Sequence, residues 1–167
     1  MRMLVLGASA LALALIGQSR VSTVPASQAA NTHDTKHLRV TTSVAPGEAR
    51  PGGRLSLAAA IVPKPTMHVY APGQEGYIGV TLTLDRDPSA FTAAGPKYPP
   101  PQKRVLPGIN ETELVYSQPF TITDDVTLPR GASGRTTIKG TLRYQACDDV
   151  VCYLPATVPL EWRIDVR

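Results

Sequence analysis

The sequence predicts an all-β protein with the architecture of a β-sandwich, and three observations support that class. Polar and apolar residues alternate through most segments after residue 37, which is the pattern of strands with one buried face. The 16 prolines and 13 glycines divide these segments into short runs, as turns do between strands. No segment after the first 30 residues shows the helical period of about 3.6 residues. Short strands between frequent turns are typical of a sandwich.

Each predicted strand is bounded by residues that favour turns. The strands are expected at residues 38–45, 54–62, 67–70, 78–84, 114–123, 136–145 and 157–166. Residues 85–111 are rich in proline and predict a long surface loop, which in a compact domain is often functional. The alternating faces that we expect in the core include those of Ile78, Val80, Leu82 and Leu84, and those of Val158, Leu160, Trp162, Ile164 and Val166.

The first 30 residues have the pattern of a secretory signal peptide. Arg2 supplies a positive start, residues 4–17 form an apolar core, and small and polar residues follow. Cleavage is expected after Ala29, and an uncleaved anchor is the alternative. The pattern predicts a signal peptide at 1–30, a flexible N-terminal segment at 31–37 and one folded domain at 38–167. The domain is then exported to the periplasm, or secreted where there is no outer membrane.

Composition excludes several classes of protein. The chain has 167 residues and a formal net charge of +4, and it contains no basic run of the kind that marks a nucleic-acid interface. Its apolar content is too high for a disordered chain, and its two cysteines are too few for a disulfide-scaffold miniprotein. No apolar run reaches the roughly 20 residues of a membrane-spanning helix. A small exported domain remains.

The chemistry suggested by the sequence lies in the segment YQACDDVVCYLP at residues 144–155, between two predicted strands. In an oxidising compartment, cysteines as close as Cys147 and Cys152 normally form a disulfide. The closed loop has only 6 residues, so the cross-link contributes about 2 kcal/mol of stability, near the low end for disulfides. The pair is therefore a weak means of holding a sandwich together.

Three interpretations of the pair are open at this stage. It is a structural staple of a hairpin, a metal site, or a redox-active dithiol that exchanges with other proteins. A metal site needs further ligands, and His33 and His37 lie in the polar N-terminal segment, where we expect them to be solvated. Within the loop, Asp148 and Asp149 disfavour a thiolate, which argues against a strongly oxidising cysteine.

The cysteine segment resembles the N-terminal periplasmic domain of the thiol:disulfide interchange protein DsbD family, which is immunoglobulin-like. YQACDDVVCYLP followed by TVPLEW is similar to the family's Tyr-Gln-x-Cys…Cys-Tyr-x-Pro block and its Val-Pro-Leu strand. Three weaker similarities are TMHVYAPG at 66–73, the proline-rich approach KYPPPQ, and ETELVYSQPFTI at 111–122. Together they span about residues 38–166, which is nearly the whole predicted domain.

The resemblance implies a role for both cysteines and for residues around them. Cys152 is expected to form the mixed disulfide with partner proteins, and Cys147 is expected to resolve it. Residues 107–112 (PGINET) fall where the family has a loop that caps the disulfide, although the family's acidic and aromatic tip is not recognisable here. Four residues separate the cysteines, where the best-known member of the family has five. His68 and Tyr70 fall where the family has aromatic residues beside the disulfide, which implies a supporting role for both. Tyr144 and Tyr153 flank the pair, and at least one of them is expected to pack on the sulfurs.

The predicted function is therefore periplasmic thiol–disulfide interchange, the activity of a thiol–disulfide oxidoreductase, with no cofactor and no metal. The longer members of the family continue into a membrane electron carrier and a thioredoxin-like domain, whereas this sequence ends at Arg167. A separate membrane carrier or thioredoxin-like protein is the expected electron donor, and exported disulfide-containing proteins are the expected acceptors. The alternative is a non-enzymatic exported binding module whose disulfide is only structural.

Overall fold

The computed structural model describes residues 30–45, 49–85, 87–106 and 111–167, and within them the regular structure is entirely β. The predicted signal peptide and most of the expected capping loop lie outside these residues. No helix that could cross a membrane occurs in the described ranges. The strands are β1 (Asn31–Asp34), β2 (Leu38–Val44), β3 (Arg54–Pro63), β4 (His68–Tyr70), β5 (Thr81–Leu84), β6 (Thr92–Lys97), β7 (Gln102–Leu106), β8 (Glu111–Tyr116), β9 (Phe120–Thr127), β10 (Gly134–Tyr144), β11 (Ala146–Cys147) and β12 (Ala156–Val166).

The strands form three antiparallel sheets. Their orders are β1-β2-β3-β9-β6, β12-β10-β5 and β11-β4-β8-β7. The first two enclose the main core, to which β12 contributes the buried row Leu160, Trp162 and Ile164. The indole Nε1 of Trp162 donates a hydrogen bond to the carbonyl oxygen of Ala58 on β3, at 2.9 Å. The predicted all-β sandwich is thus confirmed, with the alternating faces of β5 and β12 in the core. The strand expected at 78–84 begins only at Thr81, and Ile78, which we expected in the core, is half-buried.

Two predicted irregular segments are ordered strands. We expected residues 31–37 to be flexible, but Asn31–Asp34 pairs with the edge of β2, where Asp34 forms ion pairs with Arg39 and Lys64 at 3.2 and 3.0 Å. We also expected a loop at 85–111, but it contains β6 and β7. β6 and β7 are the outermost strands of their sheets. Proline is tolerated in an outermost strand, and β6 contains Pro96 and has a bulge between Ala93 and Pro96.

A third difference concerns residues 114–123, which we predicted as one strand. They belong to two strands in different sheets, β8 and β9. The break comes at Ser117–Pro119, where the proline lacks the N–H that a continuing ladder needs. Across this break the rings of Tyr116 and Phe120 stack at 4.1 Å.

The two cysteines lie at the turn that connects the longest pair of strands. β10 and β12 pair over eleven residues each, from Gly134 opposite Val166 to Tyr144 opposite Ala156. Beyond Tyr144 the chain leaves this ladder, and β11 pairs with β4 of the third sheet, so that Cys147 lies opposite His68. The connection is therefore held from two sheets at once.

Candidate functional site: the disulfide hairpin

Cys147 and Cys152 form a disulfide across the β10–β12 connection, with their Cα atoms 4.0 Å apart. The two cysteines differ sharply in exposure. Cys147 is 1% exposed and packs with Tyr70 and Val115, whereas Cys152 is solvent-exposed. An attacking sulfur must reach the sulfur that it attacks. The oxidised pair therefore offers an incoming thiolate the sulfur of Cys152.

Asp148 braces the turn between the cysteines with hydrogen bonds of its own. One carboxylate oxygen accepts hydrogen bonds from the backbone N–H groups of Val150 and Val151, both at 2.8 Å. The other accepts one from the hydroxyl of Tyr153, also at 2.8 Å. These bonds, with the N–H of Val151 the largest cause, lower the pKa of Asp148. The bond to Asp148 also raises the pKa of Tyr153.

We expect Asp148→Asn to lower the melting temperature of the oxidised protein at neutral pH, because the amide nitrogen cannot accept the Tyr153 hydroxyl. The lowered pKa of Asp148 means that its charge stabilises the fold fully above pH of about 4 and that this contribution is lost on further acidification. Melting curves across acidic pH should therefore show the two proteins converging. Asp149→Asn, at the next position, is the matched control and should have a smaller effect at neutral pH.

A buried tyrosine and glutamate lie beside the exposed sulfur. The hydroxyl oxygen of Tyr70 is 3.8 Å from Cys152 Sγ, and the hydroxyl donates a hydrogen bond to Glu113 Oε1 at 3.0 Å. Glu113 is only 3% exposed. Burial and this bond raise the pKa of Tyr70 well above its usual range, so the phenol stays protonated. The ring of Tyr77 stacks on that of Tyr70 at 4.0 Å and covers it.

His68 and Arg104 tie the other side of the hairpin to the third sheet. Arg104 Nη1 lies 3.0 Å from Nδ1 of His68, and Nη2 forms an ion pair with Asp149 at 2.8 Å. Because a guanidinium only donates, the ring nitrogen must accept, which requires a neutral imidazole. Burial and the Arg104 charge lower the pKa of His68, in agreement with that state. The His68 ring also meets that of Tyr70 edge-on at 5.6 Å.

The two tyrosines next to the cysteines anchor the N-terminal segment to the hairpin. Thr35 Oγ1 lies 3.0 Å from the hydroxyl of Tyr144, and the ring of His37 packs on that of Tyr153 at 4.5 Å. The Lys36 ammonium lies over the same Tyr153 ring at 4.7 Å. We expected His37 to be solvated, but its Nε2 is buried. Nε2 of His33 is buried as well.

Exposed apolar side chains flank Cys152 along the chain. Val150 and Leu154 are each 88% exposed, and Val151 is 48% exposed. Exposed apolar residues that are contiguous in this way are typical of surfaces that bind other proteins. In the described part of the chain, no three His, Cys, Asp or Glu side chains cluster closely enough to hold a metal ion.

Sequence reasoning singled out both cysteines and the four supporting residues, and the structure brings all six to this end of the molecule. The sequence pattern did not indicate Glu113, Arg104 or Tyr77 as site residues. Glu113 alternates with exposed residues in ETELVY and looks like any other strand glutamate. Arg104 lies in a segment that we had expected to be a loop. Tyr77 precedes a predicted strand and gave no signal.

Fold and site together define a class of protein: an immunoglobulin-like β-sandwich domain with an accessible disulfide at the end of a strand pair. Residues 35–161 match the family described as "Thiol:disulfide interchange protein DsbD, N-terminal". The chain belongs to this family, which confirms the resemblance predicted from the cysteine segment. No curated protein sequence matches the chain.

Similar solved structures include two domains of related systems. The N-terminal periplasmic domain of ScsB from Proteus mirabilis is 14% identical, with a TM-score of 0.51 over 84% of this chain and 51% of that one. The chain thus spans about half the length of the ScsB domain. The reduced N-terminal domain of Neisseria meningitidis DsbD is also 14% identical, with a TM-score of 0.38 over 64% of this chain and 74% of that one. At such identities the ScsB likeness supports the fold alone.

Proposed function

We propose that this domain passes electrons between exported proteins by thiol–disulfide exchange through the Cys147–Cys152 pair. The observation that carries the proposal is the asymmetry of the pair, with Cys152 an exposed residue and Cys147 only 1% exposed. A structural disulfide gains nothing from an exposed sulfur. The Asp148 bonds and the long β10–β12 ladder already close the hairpin, so the disulfide is not needed to hold it.

The exchange has two balanced halves. A thiolate of a reduced donor attacks Cys152 Sγ, the bond to Cys147 breaks, and Cys147 leaves as a thiolate that takes up a proton. The donor's second thiol then attacks the mixed disulfide, which releases reduced Cys152 and an oxidised donor. In the second half, the Cys152 thiolate attacks an acceptor disulfide, and Cys147 resolves the new mixed disulfide. Two electrons and two protons move from donor to acceptor.

The compartment and partners form part of the proposal. The signal pattern of residues 1–30 supports export, and the similar ScsB domain is described as periplasmic. A membrane carrier or a thioredoxin-like protein is the proposed donor, and exported proteins with disulfides are the proposed acceptors. Membership of the family supports thiol-redox partners of this kind.

The direct test is electron transfer from a reduced bacterial thioredoxin. The purified oxidised domain is mixed with excess reduced thioredoxin, quenched, and its free thiols are counted by alkylation and mass spectrometry. We expect two free thiols per chain, with the thioredoxin oxidised in equal amount. A domain that stays oxidised with thioredoxin, but is reduced by high dithiothreitol, would contradict the proposal.

Docking of a partner protein on the exposed side chains of Val150, Val151 and Leu154 gives a second prediction. We expect Leu154→Glu to slow reduction by thioredoxin at least severalfold, because the new charge must be desolvated when a protein covers Cys152. Reduction by dithiothreitol, which needs no docking surface, should change much less. Thr137→Glu places the same charge near the far end of β10 and is the matched control. Equal slowing of both reactions would argue against a docking role.

A further inference from the structure

A cleft opens at the side of the sandwich between β5 and β6. β5 is the last strand of the three-stranded sheet, and β6 is the last strand of the five-stranded sheet, within the described residues. The cavity between them has a volume of about 540 Å³, in the range of ligand-binding pockets. Leu82, Leu84 and Phe91 form its apolar wall, and none of its lining residues belongs to the disulfide site.

The backbone of β5 presents unused ladder positions to this cleft. The backbone N–H of Asp85 donates a hydrogen bond to the carbonyl oxygen of Lys139 at 2.9 Å. In an antiparallel pair every second residue bonds to the partner strand, so Thr83 also faces β10. The polar groups of Leu82 and Leu84 therefore point away from β10. Leu82 N–H is taken by the Tyr98 hydroxyl at 3.0 Å. The backbone N–H and C=O groups of Leu84 lie on the side where another strand would pair.

A carboxylate occupies a core position in the opposite wall. Asp124 lies on β9 between the buried Ile122 and Val126 and is itself 2% exposed. Gly95 N–H, at the β6 bulge, donates to its Oδ1 at 3.0 Å and is its one donor among the described residues. Burial raises the pKa of Asp124. Among the described residues that line the cavity there is no lysine or arginine.

The cation next to the β6 bulge is engaged elsewhere. Lys97 follows the bulge on β6, and its ammonium forms an ion pair with Asp125 at 2.7 Å. Because successive strand side chains point to opposite faces, Asp125 lies on the outer side of β9 and Asp124 on the cleft side. A second carboxylate, Asp87, stands at the cleft's rim and is exposed. The described lining of the cleft thus carries two carboxylates within an apolar wall.

We propose that this cleft binds an extended peptide segment with a lysine or arginine between apolar residues, which adds as a strand to the free edge of β5 and pairs its cation with Asp124. Strand addition of this kind takes its affinity from main-chain bonds and its specificity from alternate side chains. The bulge and Pro96 blunt the edge of β6, so β5 is the edge that accepts the strand. The site would hold a substrate or partner segment independently of the redox pair.

Labelled peptides test the proposal by fluorescence anisotropy with the whole domain. The probe is acetyl-TVTKTVT-amide, whose valines and lysine share one face of a strand, and TVTETVT is its matched counterpart. We expect saturable binding of the lysine peptide and at least about tenfold weaker binding of the glutamate peptide, the size of a lost charge-assisted hydrogen bond. Methylation of alternate peptide nitrogens should abolish binding for the set that faces β5.

Asp124→Asn should bring the affinities for the two peptides together, whereas Asp165→Asn, an exposed carboxylate on β12, should not. The Cys147→Ser, Cys152→Ser double variant should bind as the wild type does, so a failed redox proposal leaves this test intact. Absence of saturable binding to the lysine peptide would overturn the proposal. The proposal would equally be overturned if the wild type bound the lysine and glutamate peptides with the same affinity and if methylation of the peptide nitrogens left that affinity unchanged.

Discussion

Cys152→Ser should abolish exchange with protein thiols, while Cys147→Ser should accumulate a stable mixed disulfide with a thioredoxin variant that lacks its resolving cysteine. The expected difference follows from exposure, because an incoming sulfur reaches Cys152. The adduct then persists when neither Cys147 nor the partner's second cysteine is present to resolve it. In both variants the remaining cysteine is first converted to its mixed disulfide with 5-thio-2-nitrobenzoate, so that attack by the single thiolate of such a thioredoxin releases the small thiol and leaves the protein–protein disulfide. Non-reducing electrophoresis followed by mass spectrometry of the adduct measures both outcomes. Exchange by the Cys152→Ser protein should fall to background.

The control for these two variants is a measurement of whether the domain still folds without the disulfide. The double variant with both cysteines changed to serine should melt cooperatively, since the cross-link of a six-residue loop contributes only about 2 kcal/mol. If Cys147→Ser gave no adduct and Cys152→Ser trapped the partner instead, the assigned roles would be reversed. If neither variant formed an adduct, the disulfide would not be an exchange site.

The second large effect is expected at Glu113. In the oxidised structure the Tyr70 hydroxyl donates a hydrogen bond to Glu113 and has only lone pairs to offer the Cys152 sulfur. We expect the same arrangement after reduction to favour the protonated Cys152 thiol over the thiolate. Glu113→Gln removes the negative charge and lets the Tyr70 hydroxyl turn towards the sulfur. We expect the reduced variant to react up to about tenfold faster with iodoacetamide near neutral pH, equivalent to one pKa unit of the thiol.

The matched control is Glu111→Gln, an exposed glutamate two residues earlier on the same strand. It should leave the alkylation rate within about twofold of the wild type, because exposed charges are screened by solvent. Alkylation at equal rates in the Glu113→Gln and wild-type proteins would show that the Tyr70–Glu113 pair does not act on the sulfur. Circular dichroism of both variants checks that the sandwich is intact.

Sequence periodicity was sufficient for the central strands and insufficient at the edges. β2, β3, β10 and β12 alternate cleanly because one face of each is buried, and their predicted bounds differ from the structure by at most two residues. β6 carries Gly95 and Pro96 and is exposed along most of its length, so burial imposes no pattern on it. β1 is short and polar and is held by pairing with β2 rather than by apolar burial.

The residues of the candidate site also divide into those that the sequence pattern predicts and those that it does not. The cysteine block was recognisable because its residues are local in sequence. Glu113 and Arg104 act across strands of the third sheet, and they reach the hairpin only after β8 has paired with β4 and β7 has paired with β8. Nothing in a linear pattern distinguishes the buried Glu113 from the exposed Glu111. Asp148 was expected to oppose a thiolate, and the structure adds that its carboxylate is committed to the turn and to Tyr153.

The reduction potential of the Cys147–Cys152 pair tests the central claim most directly. Purified domain is equilibrated with glutathione buffers and with dithiothreitol buffers, and the oxidised fraction is read by alkylation and mass spectrometry. An exchangeable disulfide should give a potential between roughly −270 and −180 mV, the range of proteins that exchange with thioredoxin-like partners. A potential well below about −300 mV would mean that the bond resists physiological reductants, and the pair would then be a structural staple.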